Sequence, residues 1–168
     1  MTSVYHYHSP LGGITISGNG NELTGLWFDG QKYFGSTLSK EYEEQPLPVF
    51  EETRKWLDIY FSGKAPDFTP PLKMETTPFR KAVWELLLTI PFGQTLTYGG
   101  IADRIAKQMG LPHMSAQAVG GAVGHNPISL IIPCHRVVGT DGSLTGYAGG
   151  IEKKLHLLTM ENAEIVQR

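Results

Sequence analysis

The chain is poor in cysteine: Cys134 is the only one in 168 residues. An intramolecular disulfide is therefore impossible, and a zinc or iron–sulfur centre built on several thiolates of one chain is excluded. No run approaches the ~20 apolar residues of a membrane span. The opening Met1-Thr2-Ser3-Val4-Tyr5-His6 has neither the basic nor the apolar region of a signal peptide, so a soluble cytoplasmic protein is expected. Net charge is small, −2, and alone points to no polyanion. It is unevenly shared, since residues 1–75 carry 6 Lys+Arg against 10 Asp+Glu and residues 76–168 carry 8 against 6. A polyanionic partner would meet the second half.

What is present is enough apolar material, 40% of residues, for a real core. The first half reads as a small α+β unit. Alternation marks strands at Val4-Tyr5-His6-Tyr7-His8 and Ile14-Thr15-Ile16-Ser17, with a third apolar run from Leu23 to Phe28. Turns fall at Pro10-Leu11-Gly12-Gly13 and Gly18-Asn19-Gly20-Asn21. After Pro48 the period becomes helical, with Val49, Phe50, Thr53, Trp56, Leu57, Tyr60 and Phe61 on one stripe. From Ser62 to Thr77 periodicity vanishes and Pro66, Pro70 and Pro71 recur, the composition of an extended linker.

The second half opens with Thr77 as helix cap and Pro78 at the first helical position, and that helix is expected to run to Pro91. A short helix follows Leu96-Thr97-Tyr98, and after Gly110-Leu111-Pro112 the residue Ser115 caps another that ends near Gly124. Helix, break, helix is compatible with a helix-turn-helix. Next come Leu130-Ile131-Ile132, a strand at Pro133-Cys134-His135-Arg136-Val137-Val138, a Gly-rich hairpin over 139–150, and a last helix with Ile151, Leu155 and Leu158 facing inward. The fold class is α+β: a small sheet-and-helix domain over 1–75, and a mostly helical domain over 76–168.

Two features carry chemistry. The helix Ser115-Ala116-Gln117-Ala118-Val119-Gly120-Gly121-Ala122-Val123-Gly124 contradicts helix propensity, because each interior glycine costs up to ~1 kcal/mol relative to alanine. Either another helix packs closely against it, or it is stripped thin to lie against a DNA minor groove only ~6 Å wide. In the second case Gln117, its only long side chain, is the probe. The other feature is Cys134 beside His135 and Arg136. Free cysteine is usually a buried small hydrophobe, whereas an imidazole that takes its proton and nearby positive charge favour the reactive thiolate. An orienting group for the imidazole is available in Asn126 or Glu161.

The segments Ala118-Val119-Gly120-Gly121-Ala122-Val123, Asn126-Pro127, Ile132-Pro133-Cys134-His135-Arg136-Val137, Gly146-Tyr147-Ala148-Gly149-Gly150 and Leu157-Leu158 occur in that order. Together they resemble the O6-alkylguanine-DNA alkyltransferase family from about Thr77 to Glu161; the first half resembles that family's variable ribonuclease-H-like domain. The resemblance implies a winged-helix-like second domain. It implies a single-turnover protein that binds duplex DNA from the minor groove, flips out O6-alkylguanine or O4-methylthymine, and moves the alkyl group irreversibly to a cysteine. Carried over, Cys134 is the acceptor, His135 the base through a water, Glu161 the holder of its tautomer, Asn126 the hinge tie, and Tyr98 the donor to guanine N3. Ala116, Gln117, Ala118, Gly120 and Arg136 fall to the DNA and substrate contacts. The carbonyls of Cys134 and Val137 would take the guanine amino group, Tyr147 would be a lid, the Ala148 amide would meet O6, and Ser129 would lie near the pocket. No cofactor, no metal, no membrane and no protein partner is implied, and a monomer is expected.

One position departs from the family pattern, since Gln117 stands where an intercalating arginine is usual. Glutamine brings no charge and less stacking surface, so weaker stabilisation of the flipped state is expected. Some relatives hold a zinc in the first domain, but residues 1–75 offer no cysteine and only His6 and His8, so none is expected. Two rivals stand beside this reading. An alkyltransferase-like protein binds the lesion without accepting the group, but that class lacks the acceptor cysteine. A cysteine hydrolase accounts for Cys134-His135 and leaves the Gly/Ala-rich helix without a reason.

Overall fold

Two tight turns with a glycine at positive φ, Gly12 (φ 112°) and Gly20 (φ 64°), fold the first strands into a meander. The computed structural model describes residues 2–38 and 41–163. In it β1 (Thr2–Ser9), β2 (Gly12–Asn19) and β3 (Glu22–Phe28) pair antiparallel, and β4 (Tyr42–Glu44) adds parallel to β1, giving the order β3-β2-β1-β4. β4 escapes sequence reading because its residues are all exposed and carry no apolar alternation. Strand alternation sends Tyr5 and Tyr7 to α1 (Pro48–Phe61), where they stack on Phe50 and Phe61 at 5.9 and 6.4 Å. The helix buries the stripe legible in sequence: Val49, Phe50, Thr53, Trp56, Leu57 and Tyr60.

The chain divides into two compact units. One takes the chain to Met74 together with Pro127–Ile131; the other takes Glu75–Asn126 and the chain from Ile132 onward. In the first unit the proline-rich stretch runs beside β3, with the Leu23 N–H donating to Pro71 O (2.8 Å) and the Lys73 N–H to Leu23 O (2.9 Å). Pro127–Ile131 does the same at Leu26, whose N–H donates to Pro127 O and whose carbonyl accepts from Ser129, both at 2.9 Å. The segment bends at Leu130 (φ 69°), bridged by the Ile131 N–H to Ser129 O at 2.8 Å. A buried leucine at the centre of such a three-residue turn sits in a region L side chains rarely adopt.

In the second unit three helices are started by hydroxyl caps. Thr77 Oγ1 accepts from Arg80 N–H at the start of α2 (Pro78–Leu87), Thr97 Oγ1 from Gly100 N–H at α3 (Tyr98–Gln108), and Ser115 Oγ from Ala118 N–H at α4 (Ala116–Gly124). α2 stops at Leu87 rather than Pro91, because the next N–H groups reach back only three residues, Thr89 to Leu86 O and Ile90 to Leu87 O. Trp84 Nε1 donates to Ala122 O at 2.8 Å and ties α2 to α4. α3, turn and α4 form the expected helix-turn-helix. β5 (Leu96–Thr97) pairs parallel with β6 (Val137–Val138), which sets the start of α3 beside the chain that follows the cysteine.

Three local expectations are corrected. Cys134–Arg136 is a single 3-10 turn, not a strand. Pro133 (φ −80°, ψ 67°) and the Cys134 N–H to Ile132 O bond at 2.8 Å make a tight three-residue turn before it. No hairpin forms over 139–150: Asp141 Oδ1 takes the Ser143 N–H and hydroxyl, closing a local turn, and an irregular loop follows. The last helix, α5 (Ile151–Met160), is rotated from expectation, with Ile151 half exposed and Lys154, Leu157 and Leu158 buried.

Candidate active site

The 3-10 turn places Cys134, His135 and Arg136 on successive corners, all buried, with Cys134 only 5% exposed. His135 Nε2 lies 2.6 Å from Glu161 Oε2, and both side chains are fully buried. A carboxylate only accepts, so Nε2 carries the hydrogen and Nδ1 is the nitrogen able to accept a proton. Arg136 holds the same carboxylate from its other side, through Nε to Oε1 at 2.8 Å and Nη2 to Oε2 at 3.2 Å, while Nη1 donates to Ile90 O at 2.8 Å. The Gly93 N–H adds a further bond to Oε1 at 3.0 Å. Gly93 is required there, because its φ is 83° and a Cβ would stand 2.9 Å from Glu161 O.

Helix termination fixes Glu161 itself. It caps α5, Asn162 follows at φ 59°, and the Ala163 N–H returns to Leu158 O at 2.9 Å. Burial pushes the Glu161 carboxyl up, but the hydrogen bonds and charge of His135 and Arg136 outweigh it and hold it well below the usual carboxylate range. Burial lowers the His135 imidazole against the opposing pull of Glu161. Burial likewise pushes the Cys134 thiol up, opposed by a hydrogen bond from the Asn126 side chain, the Lys154 charge and backbone N–H groups.

Asn126 Nδ2 also donates to Ile132 O at 2.8 Å. The chain leaves this unit after Asn126 and returns at Ile132, so one amide ties the two crossings and the nucleophile together. Tyr98, half-buried at the start of α3, is brought to the same site by the β5–β6 pairing. Burial raises its phenol, and negative charge on Cys134 raises it further. Tyr147 sets its ring edge-on to His135, with centroids 6.5 Å apart at 75°. Val137 is buried in β6, and Ala148 is half-buried in the loop.

Ala116, Gln117 and Ala118 are exposed on α4, and Gly120 is half-buried. A Cβ added at Gly121 or Gly124 meets nothing within 4 Å, and one at Gly120 stands in ordinary contact, 3.9 Å from the Tyr98 ring. Close packing inside the protein therefore does not require these glycines. They thin a face that looks outward.

Sequence reasoning missed Lys154. It sits on α5 with no exposed surface, its ammonium donating to the carbonyls of Thr145 (3.2 Å) and Gly146 (3.4 Å) and lying 6.0 Å from the Tyr98 ring centroid. Burial pulls its pKa down to about 8 against the opposing pull of Cys134. The only signal in sequence was its place in the apolar rhythm, four residues before Leu158 and three before Leu157.

Two family models divide the chain between them: "6-O-methylguanine DNA methyltransferase, ribonuclease-like domain" over residues 4–74, and the DNA binding domain of the same family over residues 78–163. The chain belongs to the 6-O-methylguanine DNA methyltransferase family. It is 40% identical over 171 residues to the methylated-DNA–protein-cysteine methyltransferase of Haemophilus influenzae, covering 100% of this chain and 92% of that one. The Mycobacterium tuberculosis protein of the same name is 43% identical over 161 residues, covering 94% and 93%. The structure of M. tuberculosis OGT in complex with DNA superposes with a TM-score of 0.80 at 41% identity, covering 95% of this chain and 92% of that chain. An O6-methylguanine-DNA methyltransferase from Pyrococcus kodakaraensis matches at 0.64 and 29%, covering 97% and 100%.

Two residues expected among the DNA or substrate contacts have partners inside the protein. Arg136, expected at the nucleic acid, has a guanidinium 9% exposed that spends three of its five N–H groups on Glu161 and Ile90. Ser129 was expected near the pocket; it lies in the segment grouped with the first unit, buried, with Oγ donating to Gln31 Oε1 at 3.3 Å. No described helix is long and apolar enough to cross a membrane, and no group of three or more His, Cys, Asp or Glu fit to hold a metal occurs among the described residues.

Proposed function

We propose that this methyltransferase repairs DNA by taking the alkyl group of O6-alkylguanine, and of O4-methylthymine, onto Cys134, one lesion per molecule. The observation that carries the reading is the chain's single cysteine beside an imidazole whose tautomer is fixed by a buried carboxylate at 2.6 Å. Duplex DNA is the partner, read from the minor groove by the thin outer face of α4. The lesion leaves the stack at a cost of a few kcal/mol, least where alkylation has already weakened its pairing.

The thiol proton passes through a water to His135 Nδ1, and Glu161 stabilises the imidazolium that results. The thiolate then attacks the alkyl carbon in line; the S–C bond forms as the C–O6 bond breaks, and the electron pair leaves with the purine. Tyr98 stabilises that charge by donating a hydrogen bond to N3. The carbonyls of Cys134 and Val137 and the Ala148 amide hold the base edge, and Tyr147 closes over it. Arg136 acts at one remove, by fixing Glu161. Gln117 fills the space left by the flipped base. A free nucleophilic thiol is kept reduced in a reducing compartment, which supports a cytoplasmic location, and no feature of the reaction calls for a second subunit.

The test is intact mass after incubation with a duplex carrying O6-methylguanine. One methyl added to the parent and none to Cys134→Ala is expected. An unchanged mass with tight lesion binding would sink transfer in favour of recognition alone, and turnover of a small thioester would favour hydrolysis.

A further inference from the structure

Gly120, Gly121 and Gly124 weaken α4 as a helix, yet its last turn is held in one place. The Asn126 N–H, which would continue the helix by donating to Ala122 O, reaches Val123 O instead at 3.3 Å, and the His125 N–H takes Gly121 O at 3.2 Å. Ala122 O is thereby one of the carbonyls that a helix end leaves open, on a residue only 2% exposed. Trp84 fills it from α2: the buried indole donates from Nε1 at 2.8 Å. A buried carbonyl without a donor is costly, so this bond selects one position for the end of α4.

The chain beyond α4 makes that position matter. Asn126 follows within a turn of Ala122, and its Nδ2 donates to Ile132 O at 2.8 Å. The same carbonyl accepts the Cys134 N–H, also at 2.8 Å. On the other flank, Ile90 O, in the turn that leaves α2, accepts from Arg136 Nη1 at 2.8 Å. α2 carries no residue assigned to DNA or substrate, and its connections nonetheless reach the 3-10 turn of Cys134 from both sides.

We infer that Trp84 is a positioning residue for alkyl transfer: by occupying Ala122 O it sets the end of α4, and through Asn126 it sets the turn that presents Cys134. The inference rests on the alkyl-transfer reading and deepens it. Without the indole N–H the end of α4 has no fixed place, the Asn126 amide loses its register with Ile132 O, and the sulfur meets the alkyl carbon out of line. A small misplacement of a reacting atom is enough to slow an in-line displacement severely.

The test removes the N–H from the full chain. β-(3-Benzothienyl)alanine at position 84 keeps the size of the indole and puts sulfur where the N–H was; Trp84→Phe removes the same donor by ordinary mutation. Single-turnover methyl transfer from a duplex carrying O6-methylguanine, at saturating DNA, should slow about tenfold in both, with duplex affinity within about twofold of the parent. A purely structural contribution would lower the melting temperature and leave the rate of the folded protein alone, so an unchanged rate in either folded variant overturns the inference. A loss confined to affinity overturns it as well. The route through Asn126 is read from a cycle with Asn126→Ala. The double variant should be no slower than Asn126→Ala alone, and losses that multiply would overturn the route. A parent that takes no methyl would sink the alkyl-transfer reading by itself. The rate at which iodoacetamide modifies Cys134 in the same variants then still tests the positioning, and rates equal to the parent's overturn it.

Discussion

Each unit contains one histidine beside a glutamate, and the two pairs behave in opposite ways. His6 Nε2 meets Glu44 Oε1 at 3.0 Å with side chains 49% and 72% exposed; His135 meets Glu161 at 2.6 Å with both at 0%. Beyond His6 the contacts continue across the sheet to Thr15 (3.3 Å) and from Thr15 to Asp29 (2.7 Å), and water competes at the Glu44 end. Beyond His135 they run through Glu161 to Arg136 and Gly93, among side chains that solvent barely reaches. Hydrogen bonding of the same kind is decoration in high dielectric and a chemical device in low dielectric. The second unit also inverts the usual placement of residue types, with Lys154, Arg136 and Glu161 inside and Ala116, Ala118 and Gly121 outside.

The largest effect should come from Glu161→Gln. The amide cannot accept from His135, Arg136 and Gly93 together, and its own N–H opposes one of them. Arg136 is left buried without a counter-charge, which typically costs about 3–5 kcal/mol, and the His135 tautomer is no longer fixed. Thermal unfolding should show the loss, and transfer on any folded fraction should slow by about a hundredfold or more. Stability within 1 kcal/mol of the parent, to order of magnitude, would put this pair in the same class as His6 and Glu44.

Acid should act on the same pair in two stages. His135 is held below its ordinary value near 6.5, so the unfolded chain binds its proton first. The stability linked to this lowered value is present above 6.5 and is lost as pH falls toward the folded value. Glu161 is held below its ordinary value near 4.5; its contribution is present above 4.5 and is lost as pH falls toward the folded value. Melting temperature against pH should therefore decline first below about 6.5 and again below about 4.5. His135→Gln should remove the first decline and leave the second. A single decline in the parent, near 4.5 alone, would show that His135 takes up its proton without resistance from the fold.

The sequence exposed three of the four sheet strands, the α1 stripe and two of the three hydroxyl caps, Thr77 and Ser115, because alternation, helical spacing and a hydroxyl residue just before a helical run are local signals. It offered Cys134 with His135 and left Asn126 and Glu161 open as the orienting group until the resemblance chose Glu161, since residues 26 apart come together by the rotation of α5, which no local pattern states. That rotation is where local reasoning failed: Ile151 was expected inside, while packing put Lys154 in and left Ile151 half exposed. The strand expected at the cysteine failed for a different reason. Pro133 imposes a backbone turn that the apolar run around it conceals.

A gentler break concerns the outer face of α4. If that face were as inert as the exposed edge of the first unit, Gly121→Ala would change stability alone. Its added methyl meets nothing within 4 Å, so melting should rise, by up to about 1 kcal/mol of helix propensity. Affinity for duplex DNA should nonetheless fall, because the methyl stands where the groove wall must approach. Gln117→Arg on the same face should do the reverse and tighten binding through charge and stacking. Higher stability for Gly121→Ala with unchanged affinity would move the DNA contact off α4.

The smallest effect is expected for Glu44→Gln, which repeats at the surface the change made in the core by Glu161→Gln. The His6 Nε2 bond can be kept by the amide oxygen, both groups reach water, and removing the charge leaves no ion stranded in low dielectric. β4 is held to β1 by its parallel backbone pairing over Thr2–Tyr42, Ser3–Glu43 and Val4–Glu44, which the substitution does not touch. Stability should change by less than about 1 kcal/mol, and alkyl transfer to Cys134 should be unaltered. A loss comparable to that of Glu161→Gln would mean that the strand-crossing contacts from Glu44 to Asp29 act as a single cooperative network, and that exposure alone does not separate the two pairs.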